Sequence, residues 1–211
     1  MRALALLVLT GTLAQSRFVP AHLLTGYPPP RQPPDVVGGG QPALEVTVND
    51  DGTVGAVSTL RDSPPFTELM RAAVATWHFD PASEGDQRLR SRVLVAAVFR
   101  APVLSAGPAP FFPRRDPDPP CSEVPYPIEI VEPPYPVTSL AAEVVLVEMD
   151  VEADGRVADS QLVEGNEPFA ELALAAARRW RFEPACRQGR PVGAVAYVAF
   201  GFRPPVVAPK R

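Results

Sequence analysis

Trp180-Arg181-Phe182-Glu183-Pro184-Ala185 repeats Trp77-His78-Phe79-Asp80-Pro81-Ala82 at a distance of 103 residues. Working outward, the same offset relates Asp154-Gly155 to Asp51-Gly52, Phe169 to Phe66, Leu172 to Leu69, and Phe202 to Phe99. The register runs without a gap from about Leu44 to Pro102 and its counterpart. Identities at one offset that fall on a turn, a helix face and a helix exit mark a duplicated unit.

Each unit has the same grammar. Leu44, Val46 and Val48 alternate, as do Val145, Val147, Met149 and Val151, which predicts a strand with one buried face. Asp-Gly supplies a positive-φ turn, and second strands follow at about Val54–Leu60 and Val157–Val163. Pro64-Pro65 and Pro168 suit a helix opening, where a missing N–H costs nothing. Phe66, Leu69, Met70, Ala73, Val74 and Trp77 form one apolar stripe. Phe169, Leu172, Ala173, Ala176, Ala177 and Trp180 repeat it. Pro81 and Pro184 stop the helices. Val93, Val95, Ala97 and Phe99 close the first unit, and Val198, Phe200 and Phe202 the second. The expected fold class is α+β: two small β-β-α-β units, each a three-stranded antiparallel sheet with a helix packed on one face. Both tryptophans are expected to plug helix against sheet.

The chain holds 28 prolines in 211 residues, against a usual share of about 5%. They concentrate in an N-terminal arm (15–43) and in a linker (103–133), which should be extended spacers. The first unit then covers 44–102, the second 134–205, and 206–211 is a tail. Met1-Arg2, the apolar run Ala3 to Leu9 and the small residues Thr12 and Ala14 read as a cleaved signal peptide over 1–14. The expected location is outside the cytoplasm. In an oxidising compartment Cys121 and Cys186, the only cysteines, are expected to bridge, with two buried free thiols as the alternative.

Twenty basic against 24 acidic side chains give a net charge of −4, which argues against nucleic acid as a partner. Arg178-Arg179-Trp180-Arg181 reads as charge favoured at a helix C-terminus, and Arg88, Arg90 and Arg92 as a solvated face. Two histidines, His22 and His78, lack a neighbouring triad. Gly38-Gly39-Gly40 lacks the Lys-Ser/Thr of a phosphate loop. The expectation is a protein that is not an enzyme and carries no cofactor and no metal.

Pro134-Tyr135-Pro136, Asp154-Gly155-Arg156-Val157, Trp180-Arg181-Phe182-Glu183-Pro184-Ala185 and Gly189-Arg190-Pro191-Val192 occur in this order in the second unit. Together they resemble the C-terminal domain of TonB, the protein that couples inner-membrane energy to outer-membrane transporters. The first unit resembles it less well, with Asp86-Gln87-Arg88-Leu89 in place of Gly-x-Pro-Val. The resemblance implies a periplasmic protein related to TonB-dependent transport. Its partner would be an extended segment of an envelope protein, with an outer-membrane transporter as the candidate. Ala3 to Leu9 is too short for the family's membrane helix and holds no Ser-His pair, so no stable membrane anchor is expected. The segment would add a strand at the last strand of the second unit, through Val195, Tyr197, Val198, Phe200 and Phe202 with Tyr135 and Pro136 nearby. The matching residues of the first unit are Val93, Val95 and Phe99. The alternative is that the two edges pair with each other as an internal pseudo-dimer, which makes a self-paired structural or spacer protein with no energy-transducing role.

Overall fold

The structure, a computed structural model, describes residues 18–36, 38–101, 121–136 and 139–205. The expected signal peptide, residue 102 at the end of the first unit, residues 103–120 of the linker and the tail at 206–211 lie outside the described residues. The N-terminal half runs β1 (Phe18–Val19), β2 (His22–Thr25), β3 (Ala43–Val48), β4 (Val54–Arg61), α1 (Phe66–Val74), β5 (His78–Asp80), β6 (Ala82–Glu84), β7 (Gln87–Leu89) and β8 (Ser91–Phe99). The C-terminal half runs β9 (Tyr126–Glu129), β10 (Glu143–Val151), β11 (Val157–Glu164), α2 (Phe169–Ala177), β12 (Arg181–Glu183), β13 (Ala185–Arg187), β14 (Arg190–Val192) and β15 (Ala194–Phe202). From β4 to β8, every element has a counterpart 103 residues on.

The hairpin turns show why the repeated motifs belong together. Gly52 and Gly155 sit at φ of 84° and 81°, where side chains are disfavoured. Each glycine carbonyl accepts the N–H of Phe79 or Phe182, at 2.8 and 2.9 Å. A Cβ on Gly52 would lie 2.1 Å from the Phe79 carbonyl oxygen, and one on Gly155 1.9 Å from that of Phe182. The Asp-Gly turn and the Trp-x-Phe segment are therefore one contact, and glycine is required twice over. Asp51 and Asp154 brace the same turns by accepting the backbone N–H of Thr53 and Arg156.

The helices are shorter than the apolar stripe predicts. Both end three residues before the tryptophan, whose N–H groups instead close a tight turn onto Val74 and Ala177. Trp77 and Trp180 are buried as expected. Their indole N–H groups donate to the Tyr27 and Val131 carbonyls, at 2.9 and 3.1 Å. A buried indole needs such an acceptor, and in each half it comes from a segment read from the sequence as spacer. β2 pairs with β5, and β9 with β12. The arm and the end of the linker are therefore part of the folded body.

The principal difference from the expectation is the sheet. There are not two separate three-stranded sheets but one of six strands, in the order β11-β10-β15-β8-β3-β4. All its neighbours are antiparallel except β15 and β8, which run parallel from Leu94/Ala196 to Phe99/Gly201. Side chains alternate across a strand, and the two cores divide accordingly. Ala196, Val198, Phe200 and Phe202 of β15 join the α2 core. Val195, Tyr197 and Ala199 join the α1 core. The two helices thus cover opposite faces, and each core contains residues from both halves. Gly201 leaves room for the Phe99 ring on the paired strand, where a Cβ would come within 2.4 Å. Every residue from Val93 to Phe99 and from Val195 to Phe202 is buried.

Candidate functional site

The residues expected to receive a partner strand lie at the seam between the halves. β15 is paired with β10 on one side and β8 on the other; β8 is paired with β15 and β3. The expectation of vacant edges along Val195–Phe202 and Val93–Phe99 is corrected by this geometry. The reason is that each strand satisfies the other's main-chain groups, the arrangement anticipated as the pseudo-dimer alternative. Val93, Val95, Phe99, Val195 and Tyr197 face the α1 core, and Val198, Phe200 and Phe202 the α2 core. Tyr135 is half-buried, 6.0 Å from the Phe169 ring, and its hydroxyl donates to the Ala141 carbonyl at 2.8 Å. Pro136 is buried beside it. Phe169 in turn lies 5.0 Å from Phe202, which brings the Tyr-Pro element to the end of β15.

The structure adds a polar cluster that the sequence did not single out. Tyr197 donates its hydroxyl to Glu148 Oε2 at 2.7 Å and accepts the backbone N–H of Leu23 at 2.7 Å. His22 Nδ1 lies 2.9 Å from Glu148 Oε1. The N-terminal arm, seated on the first half through β2, is thereby fastened to β10 and β15 of the second. The hydrogen bond that His22 donates to Glu148 raises the His22 pKa against the opposing effect of burial, and the charges of Glu148, Asp150 and Asp80 add to it. Burial opposes the charge on Glu148, but the bonds from His22 and Tyr197 outweigh it and its pKa is lowered. Burial, with Glu148 beside it, pushes the Tyr197 phenol far up, so it remains a donor. Asp150 is raised by burial and by its neighbour Glu148.

This clasp has a pH window. A raised histidine contributes stability that is fully present below its ordinary value of 6.5 and fades as pH rises through the raised one. A lowered carboxylate contributes above its ordinary value of 4.5 and fades as pH falls through the lowered one. The clasp is therefore strongest between those limits. His22→Gln is expected to cost about 1 kcal/mol at pH 5.5, since the histidine is partly exposed and screened, and clearly less at pH 8.5. Urea denaturation of both proteins at both pH values checks this, and an equal cost at both would contradict it.

The open edges of the six-stranded sheet are β4 and β11. β4 reads Val54-Gly55-Ala56-Val57-Ser58-Thr59-Leu60-Arg61, with no proline and a charge only at its end. On α1, Arg71 reaches down to its face, donating to the Val57 carbonyl at 2.7 Å and the Thr59 hydroxyl at 2.6 Å. β11 carries Asp159 and Glu164 and exposes Leu162. Among the described residues no helix is long and apolar enough to cross a membrane. A search of curated proteins finds no match to the chain. Residues 132–204, which run from the segment before β10 through the end of β15, match the family model described as Gram-negative bacterial TonB protein C-terminal.

Proposed function

We propose that this is an envelope protein with a TonB-related role in transport, not an enzyme, built of two copies of one β-β-α-β unit. In this reading it is exported to the periplasm and binds extended segments of envelope proteins, outer-membrane transporters being the candidates, by strand addition. The match over residues 132–204 supports the envelope and transport side of the reading. The strand that receives the segment is β4, with β11 as its counterpart. Addition at Val195–Phe202 or Val93–Phe99 requires the halves to part first, because those strands already hydrogen-bond on both sides.

The observation that carries the proposal is the outer edge of β4. Eight residues run along it with no proline and a single terminal charge. Folded proteins usually blunt such an edge with lysine, proline or a cover, whereas a strand that accepts an extended peptide must leave its main chain open; on β4 the joining segment has to displace Arg71 from the Val57 carbonyl. Amide hydrogen exchange of the full chain with peptides copying extended transporter segments tests it. Slower exchange across Val54–Arg61 is expected. Slower exchange confined to 91–99 and 194–202 would place binding at the last strands instead. No change anywhere would favour the second reading, a self-paired spacer protein, which the two-sided pairing of β8 and β15 supports.

A further inference from the structure

The parallel pairing of β8 and β15 does not extend to their beginnings. β8 starts at Ser91 and β15 at Ala194, but the two strands pair only from Leu94 and Ala196 onward. Below that point they form a fork on the seam between the halves. A cavity of about 120 Å³ lies there. Its floor is apolar, made by Val93, Val195 and Ala21, each 2% exposed or less. That is comparable with the roughly 150 Å³ apolar cavity that accepts a benzene ring.

Three arginines gather at the mouth, on a chain whose net charge is −4. Arg90, Arg92 and Arg187 line the cavity against one carboxylate, Glu123. Each guanidinium is held in place by its neighbours. Arg187 lies 4.1 Å over the Phe18 ring and bonds Glu84 at 3.3 Å. Arg90 donates twice to Asn49 Oδ1, at 3.3 and 3.0 Å. Arg92 pairs with Glu45 at 3.4 Å and Glu123 at 3.5 Å. A guanidinium carries five N–H donors in a fixed fork, so these contacts orient the groups without exhausting them. Ser91, at the root of the fork, has a buried hydroxyl with no hydrogen-bond partner.

We propose that this fork is a binding site for a small carboxylate with a short apolar tail. The tail occupies the floor, and the carboxylate meets the arginines and the Ser91 hydroxyl. Paired charge-assisted bonds from guanidinium to carboxylate supply the orientation. The carboxylate can belong to a free acid or to the C-terminus of a peptide, so the experiment separates these sources.

The full chain, isotopically labelled, is titrated with 3-methylbutanoate, with 3-methylbutanamide, with acetyl-Ala-Val as free acid and as amide, and with inorganic phosphate. Amide shifts are followed at residues 91–93, 187 and 194–195. The expected result is saturable shifts there with at least one of the two acids, and at least tenfold weaker binding of its amide. Saturation by 3-methylbutanoate alone assigns a free acid, and tighter binding of the peptide acid assigns a chain terminus. Arg187→Gln and Arg90→Gln are each expected to weaken binding at least fivefold, and Arg187→Lys less, with thermal unfolding showing that each variant folds. A variant that does not fold is replaced in the comparison by Arg187→Lys and Ser91→Ala, either of which must weaken binding at least twofold. No saturable shift with either acid overturns the proposal. So does equal binding of acid and amide, or of phosphate and acid, or affinity unchanged in the folded variants.

Discussion

Tyr197→Ala is expected to lower the stability of the whole chain by about 3–5 kcal/mol, the range for removing a large buried aromatic side chain. Tyr197 belongs to the second half by sequence but to the first by packing. Its ring is fully buried, edge-on to Trp77 at 5.7 Å and to Phe79 at 5.9 Å. Truncation opens a cavity between the halves and strips a partner from Glu148 and from the Leu23 N–H. The loss is a large part of the 5–15 kcal/mol available to a typical domain. Tyr197→Phe keeps the ring and should cost about 1–3 kcal/mol, the penalty of leaving buried polar groups unpaired. Urea denaturation followed by the fluorescence of Trp77 and Trp180 measures both, and one cooperative transition is expected because the cores are shared. A cost below about 1 kcal/mol for Tyr197→Ala would contradict the packing described.

Replacing both cysteines of the Cys121–Cys186 bridge with serine is expected to cost about 4 kcal/mol. The bridge spans 65 residues, and closing a loop of that size removes roughly that much free energy from the unfolded chain. In the folded protein it fastens the segment leading into β9 to the β13–β14 hairpin, next to a hydrogen bond from the Cys186 N–H to the Ser122 carbonyl at 2.6 Å. Equilibrium urea denaturation of wild type and the double variant measures the difference. A loss under about 1 kcal/mol would show that the bridge constrains the unfolded chain little.

The local elements were legible because they rest on short-range rules. Asp51-Gly52 and Asp154-Gly155 announce their turns, the helix stripes announce a buried face, and a single cysteine pair in a chain read as exported announces the bridge. The seam was written in the sequence too, but in a form that alternation hides. Between Val93 and Phe99, Leu94, Ala96 and Val98 are as apolar as the residues they separate, and Val195 to Phe202 is equally unbroken. Reading every second residue gives a strand with one buried face. Reading all of them gives a strand buried on both, as parallel interior strands are, and that is where β8 and β15 lie. Proline density likewise made the arm and linker look like spacers, although His22–Thr25 and Tyr126–Glu129 each add a strand and a tryptophan acceptor lies just beyond. The clasp was not legible, since His22 and Glu148 stand 126 residues apart and only the pairing of the halves joins them.

The central claim is that the last strands of the two halves lie side by side and parallel in one sheet. Interstrand nuclear Overhauser effects between the backbones of Ala97 and Ala199, partners in that register, test it most directly. The account predicts these cross-peaks, together with their continuation from Leu94/Ala196 to Phe99/Gly201. Cross-peaks absent along that whole run, with the amides of both strands exchanging as fast as those of β4 and β11, would contradict it.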